Sequence, residues 1–130
     1  MIYIFTKNGC QGSKKALKWL QQHQLPHQHK LIKDLDLKNL IQILSLTDSG
    51  FDQILVGRNP TPSFNTKQVT KALEEASNFS EAIQIIHKNP NCFKSPIIID
   101  EKKIQIGFHD DEIRKFLSPE FRRLERKKIG

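Results

Sequence analysis

The amino-acid sequence predicts an α/β fold in which the two ends of the chain build one mixed sheet and a helical insertion lies between them. Three observations carry this expectation. An apolar, β-prone run, Ile2-Tyr3-Ile4-Phe5, is followed within about thirty residues by a helical pattern and a second strand, the length of a βαβ unit with parallel strands. From Asp34 to Asn91 the texture is helical. Sheet character then returns at 96–100 and 104–108, with Glu101-Lys102-Lys103 turning the chain between two antiparallel partners. The order β-α-β, helices, β-β-α describes a thioredoxin-like mixed sheet with a helical insertion subdomain. Within a single domain of residues 1–130, the sheet part is expected at 1–33 and 94–118, the helical subdomain at 34–93 and a basic C-terminal tail at 119–130.

The elements follow in order. Residues 2–6 read as the first strand. Residues 13–24 read as a helix, with Ala16, Leu17 and Leu20 on one side, Ser13 as its N-cap and Pro26 beyond its end. Trp19 within it is expected to make a core or subdomain contact. His27 to Ile32 alternates as a polar strand suited to a sheet edge. Asp36 caps a helix over 37–46, where Leu37, Leu40, Ile41 and Leu44 repeat at helical spacing. Thr47-Asp48-Ser49-Gly50 is a turn whose glycine is free to adopt a left-handed conformation. Phe51 to Val56 reads as a short helix, and the two prolines of 58–62 make a loop. Helices are expected at 66–76 and 80–87, the second capped by Ser80. After the strand pair, Asp110 or Asp111 opens a last helix containing Ile113, Phe116 and Leu117, closed by Ser118-Pro119.

The whole chain bounds the function classes. At 130 residues it holds one ordinary core, and 37% hydrophobic content with eight Phe excludes a disordered polymer. Its apolar runs are too short for a membrane span, and its start is a strand pattern, unlike a signal peptide. Two cysteines in different local settings do not make a secreted disulfide scaffold, so a cytoplasmic, reducing location is expected. The net charge of +7 is uneven: residues 1–33 carry six lysines and no acid, 34–113 balance to −4, and 114–130 balance to +5. Such ends are either a solvated surface or a basic face working near nucleic acid or an acidic partner. No motif for direct base readout accompanies them. The spacing of His23, His27 and His29 does not match an ordinary zinc site, so these read as surface or edge residues, and neither metal nor cofactor is expected.

The chemistry-bearing stretch is Lys7-Asn8-Gly9-Cys10-Gln11-Gly12-Ser13. A cysteine between a strand and the first turn of a helix sits beside unpaired backbone N–H groups and the positive end of the helix dipole, which favours the reactive thiolate. A dithiol motif would place a second cysteine three residues on, where this chain has Ser13. Cys10 is therefore either a small turn residue, a one-cysteine sensor forming mixed disulfides, or a nucleophile that borrows an outside thiol. Cys92, at a helix-to-strand junction, reads as an inert packed thiol. Pro96 is expected to be a cis-proline opposite the Cys10 loop, as the fold class implies.

The strand ending in a loop cysteine resembles the start of the Spx/MgsR regulators and of the ArsC-type arsenate reductases. The stretch from Ser95 to Phe108, followed by Asp110 to Leu117, is similar to the Spx pattern, as are Leu44 to Gly50 and Ile54 to Arg58. The similarity spans nearly the whole chain and is weakest over 59–80. It implies a regulator that binds the C-terminal domain of the RNA polymerase α subunit and reaches DNA indirectly, through the polymerase complex. It also implies a monomer when free, with no membrane partner. Gly50 matches the polymerase-facing turn glycine and Arg58 the arginine after it; Arg58 also reads as a solvated loop charge or as a ligand for an acidic partner or oxyanion. Two positions depart from the family pattern. Ser13 replaces the second cysteine of the disulfide switch, and Ser95, just before Pro96, replaces the arginine that supports the oxidised loop. Both point to a redox switch that is lost or changed in kind. The alternative reading is an ArsC-like arsenate or thiol-disulfide reductase with Cys10 as nucleophile, and a third is a paralogue that binds polymerase without activating it.

Overall fold

The computed structural model describes residues 1–56 and 64–118. Among them, four strands form one sheet in the order β2-β1-β3-β4, where β1 is Ile2–Thr6, β2 His27–Leu31, β3 Ile97–Ile99 and β4 Ile104–Ile106. β1 pairs with β2 in parallel and with β3 antiparallel, and β3 pairs antiparallel with β4. The fold is a thioredoxin-like α/β sheet, with the polar strand β2 at one edge.

Strand alternation explains why both faces of this sheet are covered. Successive side chains point to opposite faces, and in β1 and β3 nearly every position is apolar. Ile2, Ile4 and Ile98 face one way and pack with Ala16 and Leu20 of α1 (Gln11–Gln22), with Ile113 and Phe116, and with the half-buried Trp19. Phe5, Ile97 and Ile99 face the other way and join the insertion: Leu40 and Ile43 of α2 (Leu37–Leu46), Ile54 of α3 (Phe51–Ile54), Val69 and Leu73 of α4 (Phe64–Glu75), and Ala82 and Ile86 of α5 (Phe79–Lys88).

Several element boundaries differ from the sequence expectation. α1 begins two residues earlier than expected, and its N-cap is Cys10, whose sulfur accepts the Ser13 N–H. Ser13 is thus inside the first turn, not at the cap. The helix ends at Gln22 because Gln24 takes a left-handed conformation, φ 53°. α3 stops at Ile54, since Leu55 leaves it to pair with Phe93, with Val56 N–H donating to Cys92 O and Lys94 N–H to Ile54 O. The cap of α5 is Asn78, not Ser80: its side chain accepts the Glu81 N–H at 2.9 Å, while the Glu81 carboxylate accepts from Ser77 N–H at 2.8 Å. The last helix is a 3-10 turn, Glu112–Phe116, rather than an α-helix. One of its carbonyls is claimed from outside, with Lys103 Nζ donating to Lys115 O, while Lys115 Nζ reaches back to Ile104 O of β4. The strand β2 gives way at Ile32 to a 3-10 turn, Ile32–Asp34, before α2.

Candidate functional site

The loop from Lys7 to Gly9 carries the chain from the C-terminal end of β1 into α1. Gly9 has φ +77°, a conformation that other residues rarely adopt, and it lets Cys10 enter the helix as an extended N-cap. Cys10 Sγ accepts the N–H of Ser13 at 3.4 Å and the hydroxyl of Ser95 at 3.0 Å. The Ser13 hydroxyl is buried without a hydrogen-bond partner of ordinary geometry, yet it lies near enough to the sulfur to favour its anion. Partial burial pushes the Cys10 thiol pKa up. The Ser13 and Ser95 side chains, with the Ser13 and Gly12 N–H groups, outweigh that effect and leave it below the ordinary value. The polar environment that activates a cysteine is therefore present with one thiol.

The opposite wall is the segment before β3. The Ser95–Pro96 peptide bond is cis, and Pro96 O accepts the N–H of Gly107 at 2.8 Å, tying this wall to the end of β4. Gly12 packs against it so closely that a Cβ there would lie 3.3 Å from Pro96 Cδ. Ser95 stands where the resemblance places an arginine. It replaces a charged donor with a neutral one, and its hydroxyl still reaches the sulfur.

Between these walls opens a cleft of about 460 Å³, lined by Lys7, Cys10, Val56, Asn91, Lys94 and Ser95 among others. A smaller hollow of about 120 Å³ adjoins it, sharing Lys7, Asn8 and Asn91 and adding Lys33. Sequence reasoning did not assemble Lys7, Lys33, Asn91 and Lys94 into one site, because they come from three separate loops that the fold brings together. The traceable signal is the run Lys7-Asn8-Gly9 immediately before the cysteine. Cys92 is buried at the end of a 3-10 turn and, like Cys10, is a free thiol.

Gly50 belongs to a different surface. It precedes α3 with φ +66° and ψ −134°, and nothing lies within 4 Å of where a Cβ would stand. Its turn is held by Thr47, whose hydroxyl donates to Leu44 O and accepts the Gly50 N–H, and by Gln53, whose Oε1 accepts the N–H groups of Asp48 and Ser49. The backbone continues from this turn through α3 to Leu55 and Val56, beside the Cys10 cleft. Arg58 lies outside the described residues. The three N-terminal histidines have separate surroundings: His23 stacks on Trp19, His27 Nδ1 contacts Leu25 O, and His29 Nε2 contacts Thr6 Oγ1 at the sheet edge.

Comparison with known proteins places this arrangement. Residues 5–116 match the ArsC family. The chain belongs to that family. Within it, the chain is 32% identical to the global transcriptional regulator Spx of Enterococcus faecalis over 127 residues, covering 96% of this chain and 92% of that protein. It is 37% identical to the Spx of Streptococcus pyogenes serotype M3 over 127 residues, 96% of this chain and 91% of that one. Among solved structures, the arsenate reductase from Vibrio cholerae shares the fold with a TM-score of 0.54 at 14% identity, over 89% of this chain and 94% of that one. Among the described residues no helix is long and apolar enough to cross a membrane.

Proposed function

We propose that this protein is an Spx-like transcription regulator that works by binding RNA polymerase, docking on the C-terminal domain of the α subunit through the Gly50 turn. The observation that carries this reading is the 32–37% identity, over nearly the full length of both chains, to relatives named global transcriptional regulators. The turn at Gly50 supports it, since Asp48 and Ser49 are exposed and the half-buried glycine has no atom within 4 Å of where a Cβ would stand, which allows a partner to approach the backbone. Arg58, which follows in the sequence, is assigned to the same interface. The basic ends of the chain then lie near promoter phosphates in the assembled complex and add a salt-sensitive contribution without base reading. The sheet part, 1–33 and 94–118, carries the Cys10 loop, and the helical subdomain, 34–93, carries the docking turn. With Ser13 in place of a second cysteine, no dithiol switch operates within the loop.

Calorimetric titration with the isolated α C-terminal domain, with and without reductant, tests the docking. The expected result is binding that survives reduction and is lost in Gly50→Arg. Equal affinity of Gly50→Arg and the parent would remove the interface from Gly50, and no binding in either redox state would end the reading.

A second reading is favoured by one observation, the activated Cys10 in a cleft with two lysines. It is an ArsC-like reductase in which Cys10 attacks an oxyanion or disulfide and an outside thiol resolves the intermediate. Arsenate-dependent turnover abolished by Cys10→Ser would establish it. Absence of turnover with several thiol donors would exclude it.

A further inference from the structure

The helical subdomain carries an apolar groove that shares no residue with the Cys10 cleft. Phe51, Leu73, Ala76, Phe79 and Ala82 line a hollow of about 270 Å³ between α3, the end of α4 and the start of α5. A second hollow of about 80 Å³ shares Phe51 and Leu73 with it, so the two form one continuous groove. Phe79 stands in its wall and is 46% exposed. That ring is held in place, because Asn78 caps α5 and the Glu81 carboxylate accepts the Ser77 N–H, pinning the connection before it. The groove begins where the Gly50 turn ends: Phe51 follows Gly50 directly, and Gly50 O accepts the Gln53 N–H. Asp52 and Glu74 line the smaller hollow, and among the described residues no basic side chain lines either one. We propose that this groove is the second half of the docking surface and receives a bulky apolar side chain from a basic amphipathic segment of the partner.

The inference rests on the docking reading and supplies what the turn lacks. Asp48-Ser49-Gly50 is small and polar, whereas a stable interface covers about 800 Å² of each partner and draws most of its energy from a few apolar or aromatic anchors seated in pockets. A groove already formed before binding receives such an anchor at little ordering cost. Charge decides the sign of the partner. The chain carries +7 overall and repels a basic partner at long range, but residues 34–113 balance to −4, and the carboxylates lining the groove are part of that excess. Attraction of a basic segment is therefore local to the groove. It adds to the apolar contact, weakens with salt, and turns into repulsion for an acidic segment.

The test uses the full chain and two probes: the polymerase α C-terminal domain, and a short amphipathic peptide of leucine and lysine with its leucine–glutamate counterpart as control. Adding the domain is expected to shift the backbone amide resonances of residues 73–82 together with those of the Gly50 turn. Phe79→Ser and Glu74→Lys, both at exposed positions, are each expected to weaken calorimetric affinity for the domain by roughly tenfold. High salt should shrink the Glu74→Lys effect and leave that of Phe79→Ser. The leucine–lysine peptide is expected to shift the same 73–82 resonances and to be displaced by the domain, and the glutamate peptide to do neither. If either variant misfolds by circular dichroism, the peptide readout on the parent carries the decision. Binding that Gly50→Arg abolishes, but that leaves residues 73–82 unshifted and Phe79→Ser at parent affinity, would overturn the groove and keep the docking reading. No binding of the domain would end the docking reading, and the peptides alone would then decide the groove. A glutamate peptide that shifts 73–82 as strongly as the lysine one, or lysine-peptide shifts confined to other surfaces, would overturn it.

Discussion

At Cys10, burial and hydrogen bonding act on the thiol in opposite directions, and hydrogen bonding wins. Burial disfavours the charged form, whereas each donor aimed at the sulfur favours it. Two of the groups that lower it are serine side chains, Ser95 bonded to the sulfur and Ser13 without an ordinary hydrogen bond, so their contributions are separable by mutation. Alkylation of Cys10 by iodoacetamide, followed against pH, is expected to reach half its maximum below the ordinary thiol pKa of 9.0. Ser95→Ala and Ser13→Ala are each expected to move the midpoint upward, with Ser95→Ala removing the 3.0 Å contact outright. Unmoved midpoints in both variants would mean that the backbone N–H groups alone set the reactivity. The role of Cys10 as N-cap was not legible beforehand, because capping rules rank hydroxyl, amide and carboxylate side chains and led to Ser13. The role of Ser95 was half legible: the resemblance marked the lost arginine, and the fold shows a weaker donor in its place.

Among the elements, α2 is bounded as its local pattern says, α1 and α5 start at local caps other than the expected Ser13 and Ser80, and α3 and the last turn are bounded by tertiary partners. α2 starts and ends as its sequence says, because Asp36 accepts the Asn39 N–H at 2.8 Å and needs no distant help. α3 and the final 3-10 turn are ended or tightened by contacts to Phe93, Ile104 and Lys103, which no local pattern announces. The Asp36 cap is also an electrostatic site: the Lys30 ammonium, 2.7 Å away, and the Asn39 N–H hold its carboxyl below the ordinary aspartate pKa of 3.8. A depressed folded pKa stabilises the fold fully above the unfolded value and loses that contribution as pH falls through the folded one. Asp36→Ala is therefore expected to cost about 1 kcal/mol at pH 7. The gap to the parent should narrow below pH 4 in urea titrations, and a constant gap would discount the ionised cap. Gly50 is a different case, in which backbone conformation is the constraint. Gly50→Ala, which meets no steric neighbour, is expected to lose roughly 1–3 kcal/mol through strain at φ +66°. A stability change near zero in the same titration would show that the turn relaxes to a common conformation.

For the whole molecule, the sheet is the shared wall of two cores. Ile4 and Ile98 face α1, and Phe5, Ile97 and Ile99 face the insertion, yet they alternate along the same two strands. The isoleucine-rich runs carry a signal of that double coverage that the sequence reading did not draw on, since a strand apolar on both faces has to be covered on both. What no run reveals is how the insertion is fastened, which falls to the Leu55–Phe93 bridge and to the flanking bonds from Val56 to Cys92 and from Lys94 to Ile54. Phe93 is 1% exposed within the insertion-side core, while Trp19 packs on the opposite side of the sheet. If β1 and β3 couple the two sides, removing the Phe93 ring must be felt at Trp19. Phe93→Ala is expected to cost about 3–5 kcal/mol. It should shift the urea midpoint reported by Trp19 fluorescence by as much as the midpoint reported by far-ultraviolet circular dichroism. Helix loss at lower urea than the Trp19 transition would instead make the helical subdomain a separate cooperative unit, resting on the sheet without sharing its stability.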